Sequence, residues 1–345
     1  MGKKENKELD PLMCKRNKVG GQAILEGVMM KSANTVCIAV RMPDGSIAKE
    51  KETFTSVRKK HKFFNIPLLR GVVNFFEMMK LSFGTLSKSA EMLGEDLEES
   101  KFEKWLQKTF GKSIMSLIMP ISIILGLLLA VGLFFVLPSG ATSLVEKIFG
   151  QIPGYLKTVI EGVLKIVIFT VYLLLVSLMP DIKRTFMYHG SEHKSIACYE
   201  AGLELTVENV KKQTRFHRRC GTSFMFVMLF LGIIIGLFIP WEWANVDSRI
   251  LSILIRAAIK IAVLPIVVGI GYEFLMYSAK HDNWFIRALT APGLWFQRIT
   301  TREPDDSMME VAITSLKGAL VDEFDDDGNP IENVSDDSEV EKTII

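Results

Sequence analysis

Four stretches of the chain are almost free of charge. Ile114–Leu137 is dense in Leu, Ile, Met and Phe, and Gly221–Pro240 carries no charged residue. Val159–Met179 holds only Glu161 and Lys165, near one end, and Ile250–Ala279 is interrupted by Arg256, Lys260 and Glu273. Each run is about long enough to cross a ~30 Å hydrocarbon core as a helix. Glu161 and Lys165 stand four apart, a spacing at which they can pair on one helical face. Pro120 and Pro265 are compatible with spans, because neighbouring helices and water can satisfy the freed carbonyl. The pattern predicts a polytopic α-helical membrane protein with about four spans.

Basic residues orient those spans. Residues 1–113 hold 21 Lys and Arg, 139–158 hold 2, 181–222 hold 8, 241–249 hold 1 and 280–345 hold 6. The alternation of many and few predicts a multi-pass protein of the cell membrane with both termini cytoplasmic. Its outer loops are then very short, and its polar chemistry lies on the cytoplasmic face. The expected organisation is a disordered basic N-terminus (1–18), a cytoplasmic β-hairpin plus amphipathic helix region (19–113), a four-span domain (114–279) with a cytoplasmic loop (181–222), a helical C-terminal segment (280–320) and an acidic disordered tail (321–345).

The soluble pieces have periods of their own. Val36–Met42 alternates at period two, meets Pro43-Asp44-Gly45 and continues into Ser46–Phe54, which predicts a β-hairpin. The glycine-containing run Val19–Met30 reads best as an ordinary strand-turn-strand. After Asn65-Ile66-Pro67, apolar residues at Leu69, Val72, Phe76, Met79, Phe83, Leu86, Ala90 and Leu93 keep helical spacing. Such a helix lies on the membrane surface, packs on the spans or pairs with another helix, core packing being the default reading, and the run Arg58-Lys59-Lys60-His61-Lys62 beside it reads as a solvated or lipid-facing patch. Ser307–Leu320 fits a short helix entered through Pro304-Asp305-Asp306, acids that suit its N-terminal dipole. From Asp322 onward ten acidic side chains precede the first base, Lys342.

Composition narrows the partners. Of 345 residues 49% are hydrophobic and 23% charged, and the net charge of +2 argues against a dedicated nucleic-acid binder. The partners expected are the lipid bilayer and a protein or anionic lipid. Four scattered cysteines without a Cys-x-x-Cys pair argue against a disulfide framework.

Three of the five histidines fall in one 29-residue stretch, as His189-Gly190-Ser191-Glu192-His193 and His217-Arg218-Arg219-Cys220. The first matches the His-x-x-Glu-His pattern of inverted zincins. On a helix the two imidazoles share a face, with Glu192 beside them as a catalytic base. With His217 and Cys220 they form a donor set suited to a divalent metal, zinc above all. Two considerations point elsewhere. Gly190 and Ser191 are poor mid-helix residues, and Ser191 capping a helix Glu192–Ala201 would leave His189 off the shared face. An inverted zincin also needs a downstream acid, for which Glu200, Glu204 and Glu208 are the candidates. Polar juxtamembrane packing is the alternative for the whole cluster. Arg215, Arg218 and Arg219 read first as topological charges preceding a span, and Glu273 as a group facing the bundle.

These residues, together with Gly20-Gly21-Gln22-Ala23, Glu26–Met30, Leu289–Trp295 and Thr300-Thr301-Arg302-Glu303-Pro304, resemble the YqhQ-like family of bacterial membrane proteins, from about Val19 to Leu320. The resemblance implies a domain of unknown function described as a predicted metal-dependent enzyme, with His189, Glu192, His193, His217 and Cys220 at its candidate site. It implies no substrate. Two functions remain: a membrane-embedded metal-dependent enzyme working at the cytoplasmic face, or a non-catalytic scaffold or regulator binding a protein or lipid. A transporter is weaker, for the spans hold few paired polar residues and no repeat is visible.

Overall fold

The computed structural model describes residues 19–94, 115–244, 246–278, 281 and 283–331. The basic N-terminus, the residues between 94 and 115, and the acidic tail beyond 331 lie outside the described residues.

The hairpin expected at 36–54 is half of a four-stranded antiparallel meander. Its strands are β1 (Gly20–Ile24), β2 (Gly27–Lys31), β3 (Thr35–Arg41) and β4 (Ile47–Thr53), in the order 1-2-3-4. The run Val19–Met30 supplies β1 and β2 as strand-turn-strand, with Glu26 at φ 49° in the tight turn. Alternation then covers both faces of the sheet. Val28, Met30, Cys37 and Ala39 point to one side, while Ile24, Met29, Val36, Ile38 and Val40 point to the other.

Helices close both faces. The short α1 (Val57–Lys60) leads into α2 (Leu69–Met92), whose C-terminal half lays Leu81 and Met92 on the Ile24–Val40 side. The opposite side is covered by α6 (Pro180–Glu200) and α11 (Asp306–Ala319), which bury Tyr188, Ile196, Met308, Met309 and Leu316. Ser315 Oγ donates to the Cys37 carbonyl at 2.8 Å, pinning α11 to β3. The acidic segment begins in order, for Phe324 and Pro330 form a β-bridge around the turn at Gly328.

The apolar runs form helices. α3 (Met115–Val131) continues through a π-helical turn, Gly132–Val136, into α4 (Leu137–Phe149), so the first run extends well past Leu137. Then follow α5 (Gly154–Val176), α7 (Val207–Lys211), α8 (Gly221–Gly236), α9 (Arg249–Ser278) and α10 (Trp284–Thr300). Among the described residues three helices are long and apolar enough to cross a membrane, Ile121–Phe149, Gly154–Val176 and Ile250–Ser278. The fourth run differs from expectation: α8 has 16 residues, roughly 24 Å at the rise of an α-helix, and ends in a turn toward Ile239.

The pairing that the spacing of Glu161 and Lys165 permits is not the one made. Glu161, 2% exposed, accepts a hydrogen bond from Ser139 Oγ and is paired with Lys260 on α9. Lys165 instead stands over the Phe135 ring, 5.2 Å from its centroid. Helical spacing permits a pair, but a carboxylate turned into the bundle takes the partners that converge there. Glu273 faces Arg70 on α2 in a two-pronged ion pair, and Gly71 of α2 packs on Gly269 and Tyr272 of α9.

Candidate metal centre

Helix α6 runs unbroken through Gly190 and Ser191, so the alternative of a new helix capped by Ser191 is not realised. The reason lies outside the helix. A Cβ at Gly190 would overlap the carbonyl oxygen of Arg302, so only glycine lets the segment Thr300–Pro304 lie against the helix at this point. Ser191 donates its hydroxyl to the Tyr188 carbonyl at 2.7 Å, which satisfies it inside the helix. His189 therefore stays on the helix face that carries His193, and the two ring centroids lie 4.4 Å apart.

Both imidazoles are held by their second nitrogen. His189 Nδ1 lies 2.9 Å from the Thr300 carbonyl and His193 Nδ1 lies 2.6 Å from the Arg215 carbonyl. A carbonyl only accepts, so each Nδ1 must carry the proton and each Nε2 is left with a lone pair. Cys220 ends the loop as the residue preceding α8, and its Sγ is 3.3 Å from His189 Nε2. One ligand atom from each of His189, His193 and Cys220 lies within 4.8 Å of the other two. Three donors converge on one point, two of them with the tautomer that metal ligation requires.

His217 stands one step out. Its ring centroid is 5.6 Å from that of His193, and its Nε2 is 3.4 Å from Glu200. The structure thus brings together three of the four expected ligands and places His217 against a carboxylate beside them. Glu200 is also paired with Arg219, while Glu204 and Glu208 are exposed on the surface. Of the three acids considered as downstream ligands, only Glu200 reaches the cluster. Arg215 also takes a place in the site, through its carbonyl on His193 and its guanidinium on Glu303.

Glu192 lies 5% exposed, with Oε2 3.9 Å from His189 Nε2 and no hydrogen-bond partner for that oxygen among the described residues. Burial pushes its carboxyl up from the usual range, against the pull of His189, His217 and the Gly21 N–H. Burial likewise lowers His193 and His217, which disfavours their protonated forms. Burial alone would raise the Cys220 thiol, but contact with His193 outweighs it and the net shift is downward. Neutral imidazoles and an acidified thiol are the forms that bind a metal.

The surrounding wall comes from segments that spacing alone did not connect to the site. Gly21 of β1 approaches Glu192 so closely that a Cβ would stand 2.8 Å from its Cγ. Gln297 of α10 accepts from the His217 N–H at 2.8 Å and donates to the His217 carbonyl at 2.6 Å and to Ser223 Oγ at 2.8 Å. Gly293 lets α10 press against Ser223. Lys194, buried on the next turn of α6, is paired with Glu303. Their sequence signal is the glycines and polar residues of Gly20–Ala23, Leu289–Trp295 and Thr300–Pro304, of which the first lies in β1 and the second in α10.

A chain built in this way combines apolar helices of membrane-spanning length with a polar α/β body that closes over a His–His–Cys cluster. It belongs to the family described as Protein of unknown function (DUF1385), which matches residues 66–322. It is also 35% identical over 309 residues to the uncharacterized protein YqhQ of Bacillus subtilis (strain 168), covering 87% of this chain and 92% of that protein. No solved structure matches it.

Proposed function

We propose that the protein is a four-span membrane protein, both termini cytoplasmic, that holds a divalent metal, zinc by preference, at His189, His193 and Cys220 on its cytoplasmic face. The observation that carries this reading is the pair of Nδ1–H donations to the Thr300 and Arg215 carbonyls, which leave both Nε2 atoms able to ligate, that of His189 3.3 Å from Cys220 Sγ. Two nitrogens and a thiolate suit zinc, and a site with three protein ligands leaves a coordination position for water or substrate. The strong Lys/Arg asymmetry and the attachment of the polar body at the Val176, Gly221 and Ser278 ends of the helices support the orientation. The short α8 serves as the fourth span.

A bound cation would supply Lewis acidity at the convergence point. The chain's own residues account for the remainder. Glu192 presents an unpartnered, proton-accepting Oε2 beside that point, the position a general base needs to draw a proton from water. Burial of the cluster excludes bulk solvent, Gly21 orients Glu192, and Gln297 fixes the loop that carries His217. The reading is metal-assisted hydrolysis, and the scaffold reading is its competitor.

Metal content of the detergent-purified protein decides between them. The expected result is stoichiometric zinc in the natural chain, lost in His193→Ala and in Cys220→Ser while both variants remain in the membrane. Acid should release the metal as the donors protonate. Folded natural protein without metal, never exposed to chelator, would leave the scaffold reading in possession. Glu192→Gln should keep the metal.

A further inference from the structure

Two helices leave large apolar side chains on an outer face that nothing among the described residues covers. In α2 the fully buried residues are Gly71, Thr85 and Ser89, while Phe76, Met79, Phe83 and Leu86 are exposed, Phe76 at 59% and Phe83 at 57%. These four exposed positions recur at three- and four-residue intervals and make one continuous stripe. In α10 Ile286 and Phe296 are buried together with Thr290, Gly293, Gln297 and Thr300, while Trp284 at 80% and Trp295 at 54% stay outward. A helix in water turns its large apolar side chains inward. A helix that packs inward and still leaves a row of large apolar and aromatic side chains outward is arranged for an outer face that meets an apolar medium.

The placement of α2 indicates which medium. Its first turns are anchored to α9, one of the membrane-length helices, by Gly71 against Gly269 and Tyr272 and by the Arg70–Glu273 pair. Its C-terminal half rests on the sheet. The helix therefore bridges from the end of a span to the polar body, with the Phe76–Leu86 stripe facing neither. The segment leading into it, Val57–Leu68, is basic and apolar together. Lys59, Lys60 and Lys62 are exposed, as are Phe63 at 68% and Ile66 at 48%. Arg58 is held back by Asn74 and Tyr272 and so fixes the segment to the helix.

We propose that α2 and the segment Val57–Leu68 lie in the headgroup plane of the membrane, with Phe76, Met79 and Phe83 in the acyl boundary and Lys59, Lys60 and Lys62 on anionic phospholipid. Charge complementarity selects the lipid. Exposed lysines beside inserted aromatics match a negative leaflet surface. The membrane thereby forms the outer cover of α2, and the polar body is held flat beneath the bilayer. This inference rests on the spanning helices of the proposed function, and the experiment separates the two.

An environment-sensitive fluorescent amino acid is incorporated singly at Phe83, Phe63, Leu127 and Asp44 of the full chain. Each protein is reconstituted at one copy per lipid nanodisc containing phosphatidylglycerol, then quenched by shallow doxyl-labelled lipid or by aqueous iodide. Leu127 reports on the span and Asp44, in the β3–β4 turn, on open water. The expected result at Phe83 is strong doxyl quenching and iodide quenching several-fold weaker than at Asp44. At Phe63 the shielding should fall in phosphatidylcholine discs and in the Lys59→Gln, Lys60→Gln, Lys62→Gln variant. Iodide access at Phe83 equal to Asp44, with Leu127 quenched by lipid, overturns this inference and leaves the spans intact. Loss of lipid quenching at Leu127 as well removes the spans and the inference together. Shielding at Phe83 that appears only with two copies per disc would assign the stripe to a second chain, and equal shielding of Phe63 in both lipids would remove the anionic preference.

Discussion

Gly190 shows how far a single residue's role depends on what faces it. In an exposed helix interior, replacing glycine with alanine stabilises by up to ~1 kcal/mol. At Gly190 the added methyl meets the Arg302 carbonyl, and the segment that supplies the Thr300 carbonyl to His189 must move. Overpacking of this kind costs about 1–3 kcal/mol, so the steric term outweighs propensity. Gly190→Ala is expected to lower the thermal midpoint and to weaken metal retention. Gly84→Ala, at an exposed position of α2 with open space around it, should do neither. Equal midpoints for the two variants would refute the contact. The histidines carry the same lesson: their spacing puts two imidazoles on one helix face, but only the carbonyls of Thr300 and Arg215 decide which nitrogen is free.

At the scale of the element, α11 is the clearest case of local sequence and packing in agreement. Asp305 is its N-cap, accepting from the Met308 N–H at 2.9 Å and from Ser307 Oγ at 2.6 Å. Partial burial would raise its carboxyl, but Ser307, Met308 and the positive field of Arg184 together bring it below the usual carboxylate range. A carboxyl lowered by folding stabilises fully above its unfolded value near 3.8, and that contribution is lost as pH falls through the lower folded value. Asp305→Ala is expected to cost about 1 kcal/mol at neutral pH, with the difference from the natural protein shrinking below pH ~4. Denaturant unfolding of the purified protein across that range measures it. A constant difference down to the lowest pH would show that the cap acts without its charge. Because α11 buries Met308, Met309, Val311, Ala312 and Leu316 under the sheet, loss of the cap should be felt by the whole polar body.

The whole molecule sets the terms for testing topology. Cys198 is fully buried and Cys220 is 7% exposed, so their silence toward an impermeant thiol reagent would say nothing about sidedness. Lys194, on α6, is 3% exposed and equally unsuitable. Lys212 and Asp247 are both exposed. For the proposed orientation, a cysteine at Asp247 should react with an impermeant maleimide in intact cells, and one at Lys212 only after permeabilisation. The reverse pattern would invert the protein, and reaction at both would end the proposed four-span topology.

Much of this architecture was legible along the chain because it follows from local periods and local chemistry. Apolar runs longer than about 18 residues have few stable conformations other than a helix. The alternation in Val36–Met42 and the Pro43-Asp44-Gly45 turn likewise fix a hairpin, observed as β3 and β4. The His-x-x-Glu-His spacing singles out its residues once a helix is granted, and Asp305 caps a helix from either side of the argument. Tertiary structure alone decided what the period leaves open: that Glu161 meets Lys260 rather than Lys165, that α6 continues through Gly190 and Ser191, and that His217 stands beside Glu200 instead of within the closest cluster. The physical reason is common to all three. Spacing determines which side chains share a face, but the partner that a buried polar group takes is set by whichever segment, however distant in the chain, is packed against that face.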